Sequence, residues 1–154
     1  MTIKSYGELL FTKNLFSMPE IPRNNTGLSG EYFVAAELYR RGWSVGMTIG
    51  NAKAVDLFAE KNERIVAIQV KAIYKRKNVG WPIMQDKVKP DCFYVFVNLN
   101  ADKMSSPDFY ICTSEEAKSR VKQYATRGIV DLSSLNNEQF LNRWDKLELF
   151  TGVF

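Results

Sequence analysis

Gln69 and Lys71 stand two residues apart in the apolar run RIVAIQVKAIY. Residues i and i+2 of a strand share a face, so an amide and an ammonium project together from a segment otherwise suited to burial. The preceding VDLFAE adds an acid. A turn centred on Asn62 and Glu63 places Asp56 opposite Gln69, and directly paired residues point to the same side. A register error of one residue would send Asp56 to the other face. Glu31 joins from a helical pattern, because Leu28, Val34, Ala35 and Leu38 fall at i−3, i+3, i+4 and i+7 from it. A carboxylate inside a stripe that packs on a sheet must be paired or bind a cation.

Each residue alone has a plainer reading. Asp56 fits a solvent-face acid, Lys71 an edge lysine with a buried stem, and Glu31 a stripe acid satisfied by a lysine. Together they fit metal-assisted phosphodiester hydrolysis. Carboxylate oxygens of Glu31 and Asp56 suit Mg²⁺ or Mn²⁺, and Gln69 can add a carbonyl oxygen as a third ligand. The ion polarises phosphate and activates water. Lys71 can orient that water or offset charge developing on phosphorus.

The composition narrows the alternatives. The 154 residues include no histidine, which removes Ser-His and Cys-His nucleophiles and His-based zinc sites. The two cysteines, Cys92 and Cys112, read as buried free thiols. No secretory signal or membrane-length apolar run is visible, so a soluble cytoplasmic protein without membrane contact is expected. Charge is local. Between Lys71 and Lys89, six basic residues face one acid, giving +5, while the rest of the chain carries −1 of the net +4. Lys75, Arg76, Lys77, Lys87 and Lys89, interleaved with Trp81, suit a phosphate backbone and an unstacked base. A solvated lysine-rich loop is the competing reading.

These residues need elements to position them. Residues 1–25 read as an N-terminal extension interrupted by Pro19 and Pro22, and 26–154 as a single domain. NNTGLSGEYFVAAELYRRGW predicts a helix capped by Thr26 or Ser29 and ended by Gly42. WSVGMTI, VDLFAE and RIVAIQVKAIY predict three strands, with GNAK as a turn. A basic loop broken by Pro82 and Pro90 precedes strands CFYVFVNL and DFYICT. SEEAKSRVKQYA, capped by Ser114, and SSLNNEQFLNRW read as helices. The order is α-β-β-β-loop-β-β-α-α, an α/β fold with a central mixed sheet flanked by helices.

From Gly27 to Leu99 the ordered set GEYFVAAEL, AVDLFAE and IQVK resembles the PD-(D/E)xK nuclease superfamily. The resemblance implies a restriction endonuclease-like core and one or two divalent cations. It implies Glu31 as the helix acid, Asp56 as the metal-binding acid, Gln69 at the variable position and Lys71 as the lysine. Val55 replaces the motif's proline. Gln69 replaces its usual acid and is similar to the QxK variant of Mrr-type and Holliday-junction-resolvase-like proteins. The expected function is a divalent-metal-dependent endonuclease, with DNA favoured over RNA and homodimerisation left open. A catalytically inactive module that binds nucleic acid or a protein partner is the alternative, and a small accessory subunit a third.

Overall fold

The computed structural model describes residues 21–48, 55–75 and 80–149. Helix α1 (Arg23–Arg40) opens the fold, followed by β1 (Ser44–Met47), β2 (Leu57–Lys61) and β3 (Arg64–Ile73). Strand β4 (Gly80–Pro82) and a 3₁₀ turn (Gln85–Lys87) precede β5 (Phe93–Asn98) and β6 (Asp108–Thr113). Then come α2 (Ser114–Arg120), β7 (Val121–Gln123), β8 (Gly128–Asp131), α3 (Leu132–Leu135) and α4 (Lys146–Leu149).

Five strands form the main sheet in the order β1-β2-β3-β5-β6. The hairpin register is the expected one. Lys61 pairs with Arg64 and Leu57 with Ile68, around a two-residue turn. Asn62 and Glu63 both have positive φ, 51° and 64°, as a tight turn matching the strand twist requires. Strands β3 and β5 are parallel, with Gln69 beside Tyr94 and Lys71 beside Phe96. A parallel pair needs a crossover connection, and this one carries β4 away to a second sheet of order β4-β8-β7.

Alternation along β3 sorts the two cores. Val66, Ile68 and Val70 pack with Val34 and Leu38 of α1 and with Leu147 of α4. Ala67 and Ile73 belong to the other face, with Trp81 of β4, Val130 of β8, Ala117 of α2 and Leu135 of α3. The second sheet thus covers the face that α1 leaves open.

Several elements depart from the sequence reading. Helix α1 begins at Arg23, with Pro22 as its N-cap and no side-chain cap bond. Thr26 and Ser29 are therefore internal to the helix, which also crosses the expected boundary at residue 25. Leu28 is 48% exposed rather than part of the buried stripe. Gly42, at φ +86°, ends the helix as expected. For α2 the cap is Thr113, not Ser114. Its hydroxyl accepts the Glu116 N–H, and Glu116 accepts the Thr113 N–H in return. The α2 helix stops at Arg120, and the expected continuation Val121–Gln123 is a strand paired with β8. SSLNNEQFLNRW holds only the single turn of α3, followed by a bridge from Leu141 to Tyr110. The turn GNAK and most of the N-terminal extension lie outside the described residues. Among the described residues, no helix is long and apolar enough to cross a membrane.

Candidate functional site

Gly30 fixes the approach of α1. A Cβ added there would lie 2.6 Å from the Ala72 Cβ and 3.4 Å from the Val70 Cγ1, so glycine lets the helix rest directly on β3. Its neighbour Glu31 is 8% exposed. Val70 and Ala72 share the α1 face, whereas Gln69 and Lys71 alternate to the other. Helix α1, which carries Glu31, therefore packs on the face of β3 opposite the one to which Gln69 and Lys71 alternate. Glu37, by contrast, reaches outward to Arg40 at 3.0 Å and also pairs with Arg41.

Asp56 sits where the β2–β3 ladder ends. Its N–H still donates to the Ile68 carbonyl at 3.1 Å, while its carboxylate Oδ2 accepts the Val70 N–H at 2.7 Å. A charged oxygen thus takes a place that a backbone carbonyl would fill in a continuing ladder. The group is buried, at 8% exposure. Its charge reaches the β5 side of the sheet. The Tyr94 phenol is pushed up, chiefly by burial; the Lys89 N–H on its oxygen opposes this, and the nearby Asp56 adds to it. The Cys92 thiol is pushed up to about 11, again chiefly by burial, with Asp56 among the smaller contributors.

Gln69 and Lys71 open onto a cleft of about 580 Å³ between the main sheet and the second one. Tyr94 lies beside Gln69, and its hydroxyl accepts the Lys89 N–H at 2.7 Å. Lys87 and Lys89 line the same cleft, as do Thr126, Arg127 and Gly128 at the start of β8. Four cationic side chains and no acidic one border it, which suits a polyanion. Neither Glu31 nor Asp56 lines it.

The basic segment divides on folding. Lys87 and Lys89 are exposed at the cleft, and Lys75 is half-buried just beyond β3. Arg76 and Lys77 lie outside the described residues. Trp81 corrects the sequence reading. It is 1% exposed, its indole N–H donates to the Val97 carbonyl at 3.0 Å, and its ring packs on Phe96 and Tyr110 at 5.3 and 5.7 Å. No face of the ring is left for a base. The sequence reading also missed Arg127 and Tyr94. For Arg127 the signal is YATRG, which sets an aromatic near a cation, the combination that drew attention to residues 71–89.

Neither a protein-family model nor a curated protein matches the sequence. Solved structures do match the fold. One is the bacterial homing endonuclease I-Ssp6803I, with a TM-score of 0.56 and 13% identity, covering 82% of this chain and 93% of that one. Another is Hjc, a Holliday junction resolvase from the archaeal hyperthermophile Archaeoglobus fulgidus, with a TM-score of 0.54 and 14% identity, covering 82% and 98%. The chain has the restriction endonuclease-like fold. In this fold the five-stranded sheet carries Asp56 at the start of its β2–β3 hairpin and Gln69 and Lys71 on β3.

The donors present are of one chemical kind. Among the described residues no group of three or more His, Cys, Asp or Glu comes together. The candidate set is two buried carboxylates, Glu31 and Asp56, plus the amide oxygen of the buried Gln69. Oxygen donors without nitrogen or thiolate suit Mg²⁺ or Mn²⁺ and disfavour softer metals.

Proposed function

We propose that the protein is a divalent-metal-dependent endonuclease, with DNA as its favoured substrate. The observation that carries this reading is the placement of Lys71 and Gln69 on the floor of a cleft bordered by Lys87, Lys89 and Arg127. The likeness to a homing endonuclease and a junction resolvase supports it.

Glu31, Asp56 and Gln69 would hold Mg²⁺ or Mn²⁺, which when bound supplies Lewis acidity toward the phosphate. The chain's own residues do the rest. Lys87, Lys89 and Arg127 bind backbone phosphates and draw the strand into the cleft. The Val70 N–H holds the Asp56 carboxylate in one orientation, a form of preorganisation. Lys71 places an ammonium at the cleft floor, where it orients the attacking water and offsets charge building on phosphorus. Hydrolysis adds water across one P–O ester bond, and the departing oxygen leaves with a proton.

Purified protein is expected to nick supercoiled DNA with Mg²⁺ or Mn²⁺ and to stop on adding EDTA. Asp56→Ala should lower the rate by about 10² or more. Gln69 lacks the charge of an acid ligand, which favours a second reading as a binding module. Salt-dependent DNA binding with no cleavage under any divalent metal would establish that module instead.

A further inference from the structure

Strands β7 and β8 are joined by a turn of which the proposed chemistry uses only Arg127. The Tyr124 N–H donates to the Arg127 carbonyl at 2.7 Å. The Gln123 side-chain amide donates to the carbonyls of Tyr124 at 2.6 Å and Arg127 at 3.1 Å, bracing the turn from inside. Its oxygen accepts the Gln85 N–H at 2.9 Å, tying the turn to the 3₁₀ segment. Gly128 packs so closely on this wall that an added Cβ would stand 2.2 Å from the Ile83 carbonyl oxygen. Two of these contacts, with Gln85 and Ile83, anchor the turn to the cleft wall.

This rigid support presents two exposed groups. Tyr124 is 51% exposed, and the Arg127 guanidinium lies 5.1 Å from its ring centroid. Lys122, on the same hairpin, is matched by Asp131. Arg127 has no such acid among the ion pairs of the described residues, and with Thr126 it lines the cleft that Gln69 and Lys71 floor.

We propose that Tyr124 and Arg127 form a stacking platform for an unpaired base at the cleft mouth, with Arg127 also contacting the adjoining phosphate. This rests on the nuclease reading and names its substrate class: nucleic acid with unstacked bases, such as a single strand, a gap or a frayed end. A tyrosine ring gains little from a sugar-phosphate backbone, whereas every unstacked base offers it a π-face. In a continuous duplex, neighbours cover both faces of each base. Trp81 of the basic region and Tyr94 in the cleft wall are both buried, whereas Tyr124 is exposed.

The test uses the full chain in EDTA, so that binding is measured without cleavage. The probes are a short single-stranded DNA and its fully paired duplex, each carrying 2-aminopurine, whose fluorescence is quenched on stacking. Wild-type protein should prefer the single strand and quench it. Tyr124→Ala should weaken single-strand binding about tenfold and abolish quenching, with duplex affinity changed less than about twofold, while Tyr124→Phe retains both. Arg127→Ala should reduce the salt slope of binding by about one. Unchanged quenching and strand preference in Tyr124→Ala would overturn the platform while leaving the nuclease reading intact. Wild-type protein that binds neither probe would overturn both.

Discussion

The Asp56 carboxylate accepts the Val70 N–H at 2.7 Å, a bond that orients the group without cancelling its charge. Burial first, and that charge as a smaller cause, push the Tyr94 phenol above its ordinary range. At this scale Trp81 offers a sharp test. Its burial against Phe96 and Tyr110 predicts that Trp81→Ala costs about 3–5 kcal/mol of stability, read by denaturant unfolding. A nucleic-acid stacking residue would instead lose affinity at unchanged stability. Asp56, Gln69 and Lys71 were legible because strand periodicity is local. The face of the sheet that α1 covers was not, since it depends on contacts between segments distant in the chain. Trp81 was misread because its partners on β5 and β6 are distant in the chain.

Helix α1 and β3 meet through Gly30, and the contact can be tested by moving one methyl group. Gly30→Ala sets a Cβ 2.6 Å from that of Ala72 and should cost about 1–3 kcal/mol, lowering Tm by several degrees. It should also lower cleavage, because Glu31 rides on the displaced helix. Adding Ala72→Gly should recover most of both losses; failure of the pair to recover would remove Gly30 as the contact that sets the helix. The main hairpin was legible down to its register, since Asn62 and Glu63 mark a turn between two alternating runs. The second sheet was not. Val121–Gln123 continues a helical pattern from Ser114, and it becomes a strand only because Gly128–Asp131 pairs with it. Gly80–Pro82 is a strand for the same reason. The β4–β8 pairing joins residues about fifty positions apart, and segments of three or four residues carry little trace of either pairing.

Across the whole molecule, two cores share one sheet, so the faces that α1 and the second sheet cover should unfold together. Both cysteines lie in the core on the second-sheet side. Burial pushes the Cys92 thiol up to about 11 and that of Cys112 up to about 12, from an ordinary 9.0. A folded-state value above the unfolded one stabilises fully below about pH 9 and is lost as pH rises through 11 to 12. Stability measured by urea should therefore fall across that alkaline range. The loss should be smaller in Cys92→Ala, compared with that variant's own stability at neutral pH. At pH 8 both thiols should resist alkylation until the protein unfolds. The molecule's modest net charge of +4 conceals a cleft bordered by Lys71, Lys87, Lys89 and Arg127, and this concentration of charge points to a polyanionic substrate. The central claim is that Lys71 serves hydrolysis on that substrate. The most direct measurement is nicking of supercoiled DNA with Mn²⁺ by wild type and by Lys71→Ala, each shown to be folded by circular dichroism and to bind DNA. The account predicts cleavage by the wild type and a loss of about 10² or more in Lys71→Ala. Undiminished cleavage by the folded Lys71→Ala protein would contradict it.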